Sequence, residues 1–383
     1  GFDRVFVDAC QTGGICRIRL GRGTVELFLA VDARTVGVRA DRESDLLPEG
    51  SGTVNNSVYY RPIVQTDRHR PSGALTLAGG WSWFTHVERL SREADPEVVP
   101  AAAVPEPELR NFVSARRLIC GLSMDEPRIM GILNTTPDSF SDGGVHNRFE
   151  DAVSRGFEMA ESGADIFDIG GESTRPGAAF VPVDEEIART VPVIKALRAG
   201  GFDLPVSIDT RKSEVADAAL AAGASMFNDV TAFCYDPDSA AVAARHGVSV
   251  CLMHAQGDPK TMQDDPQYSD VLLDVYDHLA ERVAYAERHG IPRGQIVVDV
   301  GIGFGKTIEH NLALIRGMSL FHGLGCALLL GVSRKRFIGV IGNAPEAADR
   351  GPGSVALGLE ALRQGVQILR VHDIKATKQA ISL

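Results

Sequence analysis

From residue 129 onward the chain repeats one pattern: a short run rich in Ile, Val and Leu, a polar loop, then a segment whose apolar positions recur at helical spacing. Eight apolar runs separate cleanly: IMGILN (129–134), DIFDIG (165–170), PVSID (205–209), SMFND (225–229), VSVCLMH (248–254), QIVVDV (295–300), ALLLGVS (327–333) and VQILRVHD (366–373). Between them EDAVSRGFEMAESGA, VDEEIARTVPVIKALRAGG, SEVADAALAAGA, DVLLDVYDHLAERVAYAERHG and SVALGLEALRQG read as helices, several closed by a Gly that suits a helix C-terminus. Strands that are apolar along most of their length are buried on both faces, and strict strand–helix alternation predicts a parallel sheet. Eight units over residues 129–383 match an α/β (β/α)8 TIM barrel better than a doubly wound sheet, whose glycine fingerprint is missing after the first strand.

The preceding region is different. Residues 1–56 hold short β-like runs (VELFLAV, TVGVRA) and stay unassigned, while residues 57–120 contain Trp81, Trp83 and the stretch AAAVPEPE, expected to be a linker or surface wrap. The expected division is therefore 1–56, an extension over 57–120 packed on or linked to the barrel, and a barrel over 121–383.

Composition narrows the classes. At 44% hydrophobic and 23% charged the chain is ordinary for a globular protein, and no apolar run approaches the roughly 18 residues of a membrane span. A net charge of −11 opposes general nucleic-acid binding, so an anionic substrate needs a local cationic pocket. The six cysteines show no CxxC pair or zinc-ligand spacing, and no charged start followed by an apolar stretch opens the sequence. The expectation is a cytoplasmic protein without disulfides.

In a barrel of this kind the active site lies at the C-terminal ends of the strands, and polar residues recur there. Asn134 ends the first strand, GGESTRPGA follows the second, Asp209 ends the third, and Asn228 and Asp229 the fourth. His254 ends the fifth, Asp299 precedes GIGFGK, Ser333, Arg334 and Lys335 follow the seventh, and Arg370, His372 and Asp373 close the eighth. One such residue is an ordinary helix cap or rim ion pair; all of them at one mouth point to a binding site.

NTTPDSFSDGG, GADIFDIGGESTRPGA, PVSIDT, FNDV, GIGFGK, GVSRK and RVHD, in that order over residues 129–383, resemble the dihydropteroate synthases, a family of pterin-binding TIM barrels. Residues 57–120 resemble leaders of some bacterial members. The resemblance implies a transferase of folate biosynthesis that condenses 6-hydroxymethyl-7,8-dihydropterin diphosphate with p-aminobenzoate and releases pyrophosphate. A pterin edge carries amide and amidine donors and acceptors, which Asp209, Asn228, Asp299 and Lys335 would answer. Arg370 and His372, two apart on a strand, would face one anion, the diphosphate. Asn134 would hold Mg²⁺ together with diphosphate oxygens and waters. The small, Gly-rich first loop would close over the ligand, with Phe140 excluding water and Asp142 facing developing positive charge. Catalysis would then rest on Asp142, Lys335, Arg370 and His372, and the resemblance further implies a homodimer. Thr174, Arg175 and Pro176 carry over as p-aminobenzoate contacts, with Phe304 packing on the ring and Ser333 bonding the carboxylate. Phe180 reads as a rim packing residue and a candidate for affecting access of sulfonamide mimics.

GIGFGKT is not a phosphate loop, because the glycine that motif requires at position 300 is Val300. Val300 also departs from the family, which usually has Pro there, and so bears on the orientation of Asp299. His254 reads as a polar rim group, not a ligand. The alternatives to the synthase are the pterin-binding barrel of a corrinoid-dependent methyltransferase, which gives no reason for TRPG, SRK and Asn134 together, and a non-catalytic pterin-binding protein, against which every expected position is filled.

Overall fold

The computed structural model describes residues 15–20, 23–28, 58–135, 145–173, 180–257 and 261–383. Strands β1 (Ile15–Leu20) and β2 (Gly23–Phe28) pair as an antiparallel hairpin that belongs to a separate unit, Gly1–Asn55.

The second unit, Asn56–Leu383, opens with β3 (Tyr59–Pro62), β4 (Leu75–Thr76), β5 (Trp83–Phe84), β6 (His86–Leu90) and β7 (Glu97–Pro100), followed by α1 (Glu106–Val113). Antiparallel β3, β6 and β7 form one small sheet and β4–β5 another. AAAVPEPE is not a linker: Ala101 and Val104 are buried with Leu77, Phe84, Val87 and Phe112, and the prolines lead into α1. Pro107 fits there because its missing N–H falls among the orphan donors of a helix start. This extension is fastened to the rest of its unit by Tyr59 Oη donating to Asp277 at 2.9 Å, Arg92 pairing with Asp274 and Asp277 at 2.6 and 2.8 Å, and Trp81 Nε1 donating to the Leu362 carbonyl at 2.9 Å.

The barrel comprises β8 (Arg128–Asn134), α2 (Val145–Glu161), β9 (Ile166–Gly170), α3 (Val183–Ala199), β10 (Val206–Asp209), α4 (Ser213–Ala221), β11 (Met226–Asp229) and α5 (Ser239–His246). It continues with β12 (Ser249–Met253), α6 (Val271–Arg288), β13 (Ile296–Asp299), α7 (Ile308–Arg316), β14 (Ala327–Leu330), α8 (Arg336–Ile341), α9 (Gly351–Arg363), β15 (Ile368–Val371) and α10 (Ile374–Ile381). β8 to β15 pair in sequence and β15 returns to β8, all in parallel, so all eight expected strands close into a barrel. Several end earlier than the apolar runs suggested, because their last polar residues leave the ladder for the loops.

Alternation sorts the strand residues into two layers. Leu133, Phe167, Ile169, Val206, Ile208, Phe227, Val298 and Leu369 join the large cluster shared with the helices. Met130, Ile166, Met226, Cys251, Val297, Leu329 and Ile368 form a second cluster inside the barrel, and Ile119 and Met124 plug it from below. Burying these apolar surfaces is the main force closing the floor. Two residues beyond this inner layer, on the same face, the sequence turns polar.

Candidate active site at the C-terminal ends of the barrel strands

Ile166 is followed by Asp168, Ser207 by Asp209, Met226 by Asn228, Val297 by Asp299 and Ile368 by Arg370; period two therefore places all five polar side chains on the inner face, one layer above the apolar floor. Asp168, Asp209, Asn228 and Asp299 are 0, 9, 5 and 6% exposed. Arg370 Nε donates to Asp168 Oδ2 at 2.6 Å and Nη2 to Asp209 Oδ2 at 2.7 Å, while Asn228 Nδ2 donates to Asp168 Oδ2 at 3.1 Å. Asp168 Oδ1 and Asp209 Oδ1 are buried with no hydrogen-bond partner. Burial, then the neighbouring Asp168, pushes the Asp209 carboxyl up to about 7 against the pull of Arg370. Burial works against the Arg370 charge as well, but the two carboxylates outweigh it and hold the guanidinium more firmly protonated than usual.

On the far side of the barrel, Asp299 Oδ1 accepts from the Gly301 N–H at 2.9 Å, so the turn through Val300 that orients Asp299 is pinned, with Val300 itself buried in the core. Burial lifts the Asp299 carboxyl, although Gly301, Lys335 and Arg370 pull it down. Lys335 Nζ lies 4.3 Å from the Phe304 ring centroid, a cation–π contact at the mouth.

Arg370 and His372, expected to face one anion, have different protein partners. Arg370 is engaged with Asp168 and Asp209, because a guanidinium between two buried carboxylates forms short charge-assisted bonds. His372 has left the strand and bonds through Nδ1 to Ser333 Oγ at 2.9 Å, with its backbone N–H also donating to that oxygen. Ser333, expected on the p-aminobenzoate carboxylate, thus joins the ends of β14 and β15. Asn134 ends β8 in register with Gly170, on the inner-face parity of Met130. Phe140 and Asp142 of the first loop, and Thr174, Arg175 and Pro176 of the second, lie outside the described residues.

Sequence reasoning missed three groups. Asp168 sits mid-strand in DIFDIG, where only its parity with Ile166 marks it as facing the barrel interior. Lys306 is buried, and its Nζ donates to His254 Nδ1 at 2.8 Å and to the Phe304 carbonyl at 3.0 Å, tying GIGFGK to the end of β12. Burial chiefly lowers Lys306 to about 7 and His254 to about 2, so His254 is a neutral acceptor buried behind the rim. The third group braces the second loop. Lys212 Nζ donates to Glu172 Oε2 at 3.0 Å, to Glu186 Oε2 at 2.5 Å and to the Val181 carbonyl at 2.7 Å, and the Val181 N–H returns to Glu172 Oε1 at 3.0 Å. All three side chains are buried, and Phe180, more than half exposed, covers Lys212 with its ring.

Among the described residues no three His, Cys, Asp or Glu side chains converge as a metal cage. No helix among them is long and apolar enough to cross a membrane.

Comparisons with known proteins agree with this layout. The family described as "Pterin binding enzyme" matches residues 130–372. The dihydropteroate synthase of Escherichia coli K12 is 45% identical over 260 residues, 68% of this chain and 91% of its own length. A structure of the Xanthomonas albilineans dihydropteroate synthase with 4-aminobenzoic acid superposes with a TM-score of 0.65 at 46% identity, covering 70% of this chain and 96% of that one. The same enzyme in complex with 7,8-dihydropteroate gives a TM-score of 0.62 at 44% identity, with 68 and 93% covered.

Proposed function

This chain belongs to the dihydropteroate synthase family of pterin-binding transferases, and we propose that it condenses 6-hydroxymethyl-7,8-dihydropterin diphosphate with p-aminobenzoate to give 7,8-dihydropteroate and pyrophosphate. The observation that carries this reading is the pair of unpartnered buried oxygens, Asp168 Oδ1 and Asp209 Oδ1, in one layer with the Asn228 carboxamide and Asp299. A buried acceptor without a donor costs about 1–3 kcal/mol, a cost relieved by a ligand whose edge carries N–H groups at that level. The 2-amino and ring N–H groups of a pterin have that chemistry.

In this reading the C–O bond to the diphosphate breaks with its electron pair leaving on pyrophosphate, and the aryl nitrogen forms the new C–N bond to the exocyclic carbon, losing a proton. Positive charge developing on the pterin lies over Asp168, Asp209 and Asp299, which stabilise it electrostatically. An arylamine is nucleophilic enough that no strong base is needed. In this reading Lys335, Arg370 and His372 would serve the departing anion and Phe304, beneath the Lys335 ammonium, would pack on the benzoate, with Thr174, Arg175 and Pro176 as its further contacts.

Magnesium fits the residues present in one form only. With no protein cage among the described residues, a metal here would take Asn134 and fill its remaining positions from the diphosphate and water, the usual habit of Mg²⁺. When bound it would neutralise charge on the leaving pyrophosphate. The proposal extends to a homodimer, supported by Val340 and Ile341, 59 and 57% exposed at the end of α8, and to the cytoplasm, which suits the free Cys120, Cys234, Cys251 and Cys326.

The test is pyrophosphate release by the purified chain. It should require both the pterin diphosphate and p-aminobenzoate and cease with chelation of Mg²⁺. Release without p-aminobenzoate, or none with all components present, would remove the reading.

A further inference from the structure

At the opposite end of the barrel, the extension and the loops entering β13 and β14 border a partly open cavity of about 90 Å³. It has room for several water molecules, the scale of a small oxyanion. Arg116, Arg117 and Arg293 line it, and no Asp or Glu does. In a chain of net charge −11 that concentration of cations is unusual.

The three arginines are not equivalent. Arg293 is neutralised by Glu287 through bonds of 2.9 and 2.6 Å. Arg116 donates only to carbonyls, from Nη1 to Asn111 and Ser114 at 2.9 and 3.2 Å and from Nη2 to His322 at 3.0 Å, and its buried Nε has no partner. His322, whose carbonyl accepts from Arg116, is kept neutral by burial and by Arg116 itself. Arg117 makes no ion pair among the described residues, and its stem lies across Gly294, where an added Cβ would stand 2.7 Å from Arg117 Cδ. Arg116 is therefore a buried cation beside a cavity whose described lining holds no carboxylate, with the exposed Arg117 on the same lining, and a buried charge left in that state is costly unless an anion accompanies it.

We propose that this cavity binds a small tetrahedral oxyanion of the phosphate class, held by Arg116 and Arg117, which ties the extension to the barrel floor. The site is remote from the strand ends where the synthase chemistry lies. In this proposal the unpartnered Arg116 Nε is the donor to the anion, and Arg117, on the same lining, adds the second charge.

Equilibrium dialysis of the full chain against radiolabelled inorganic phosphate tests it. The wild type should take up one saturable equivalent that Arg116→Gln and Arg117→Gln each weaken by at least about tenfold, since charge-assisted bonds are lost. Phosphate resting on the diphosphate subsite would be indifferent to both substitutions. Arg116 also holds three carbonyls, so if its variant fails to fold, the exposed Arg117 decides the matter. Absence of saturable uptake by the wild type, or undiminished affinity in Arg117→Gln, would overturn the proposal. Neither arm depends on turnover, so the outcome is independent of the proposed activity.

Discussion

Arg370 and Asp209, 161 residues apart, meet at 2.7 Å inside the barrel, and the same guanidinium holds Asp168 at 2.6 Å. One cation thus serves two carboxylates, and each keeps an outer oxygen free. Asp209→Asn preserves size and one acceptor but removes the charge. It should lower kcat/KM about 100-fold, the worth of one to two charge-assisted hydrogen bonds to the ligand. Thermal stability should change little, because Arg370 retains Asp168. Steady-state kinetics alongside a melting curve checks both halves; a large loss of stability would make Asp209 a structural residue.

The raised Asp209 gives a pH signature. With its carboxyl near 7, protonation as pH falls from 8 to 6 turns an acceptor into a donor facing pterin N–H groups, so KM for the pterin diphosphate should rise. The consequence for stability has the opposite sign to that of an ordinary salt-bridged Asp. The folded value lies above the usual 3.8, so ionised Asp209 destabilises the fold above about pH 7, and the penalty fades as pH falls toward 3.8. Asp168→Asn removes the adjacent negative charge and should move the KM rise to lower pH. A pH profile of KM with an unmoved midpoint in that variant would count against the coupling.

Much of this was legible in the chain because a parallel barrel imposes a simple code. Apolar strands announce burial on both faces, and polar residues at their C-terminal ends announce the site, which gave Asp209, Asn228, Asp299 and Lys335. Asp168 escaped because it lies inside a strand, where an acid reads as an anomaly until its neighbours' parity is known. Lys306 and Lys212 escaped for another reason: nothing local says that a lysine will be buried, and the partners of Lys212 are 26 to 40 residues away in sequence. The packing of AAAVPEPE was hidden by its composition, since Ala and Pro signal linkers and tight helix starts alike.

Gly301 has φ +68°, and a Cβ there would stand 1.8 Å from the His254 carbonyl oxygen. Gly301→Ala should destabilise the protein by roughly 3 kcal/mol, from left-handed strain together with displacement of the neighbouring backbone. The Gly301 N–H also fixes Asp299, so surviving folded enzyme should show a raised KM for the pterin diphosphate. Chemical denaturation and kinetics on the variant test the two effects separately.

The Lys212 brace separates folding from positioning. Lys212→Met leaves Glu186 buried without a counter-charge and Glu172 with Arg211 alone, and should cost roughly 3–5 kcal/mol, measured by denaturation. Glu172→Gln is gentler: an amide oxygen still accepts from the Val181 N–H, while the charge shared with Lys212 and Arg211 is lost. Burial disfavours that carboxylate, but the Val181 N–H and the Arg211 and Lys212 charges hold it below its usual range, so its stabilising contribution is present at neutral pH and is lost on acidification. Glu172 directly precedes Ser173, Thr174 and Arg175, and Val181 follows them, so the brace fixes both ends of the second loop. Glu172→Gln should therefore raise KM for p-aminobenzoate several-fold while leaving KM for the pterin diphosphate nearly unchanged. Equal shifts in both constants would mean that the brace supports the barrel mouth as a whole and does not position the loop.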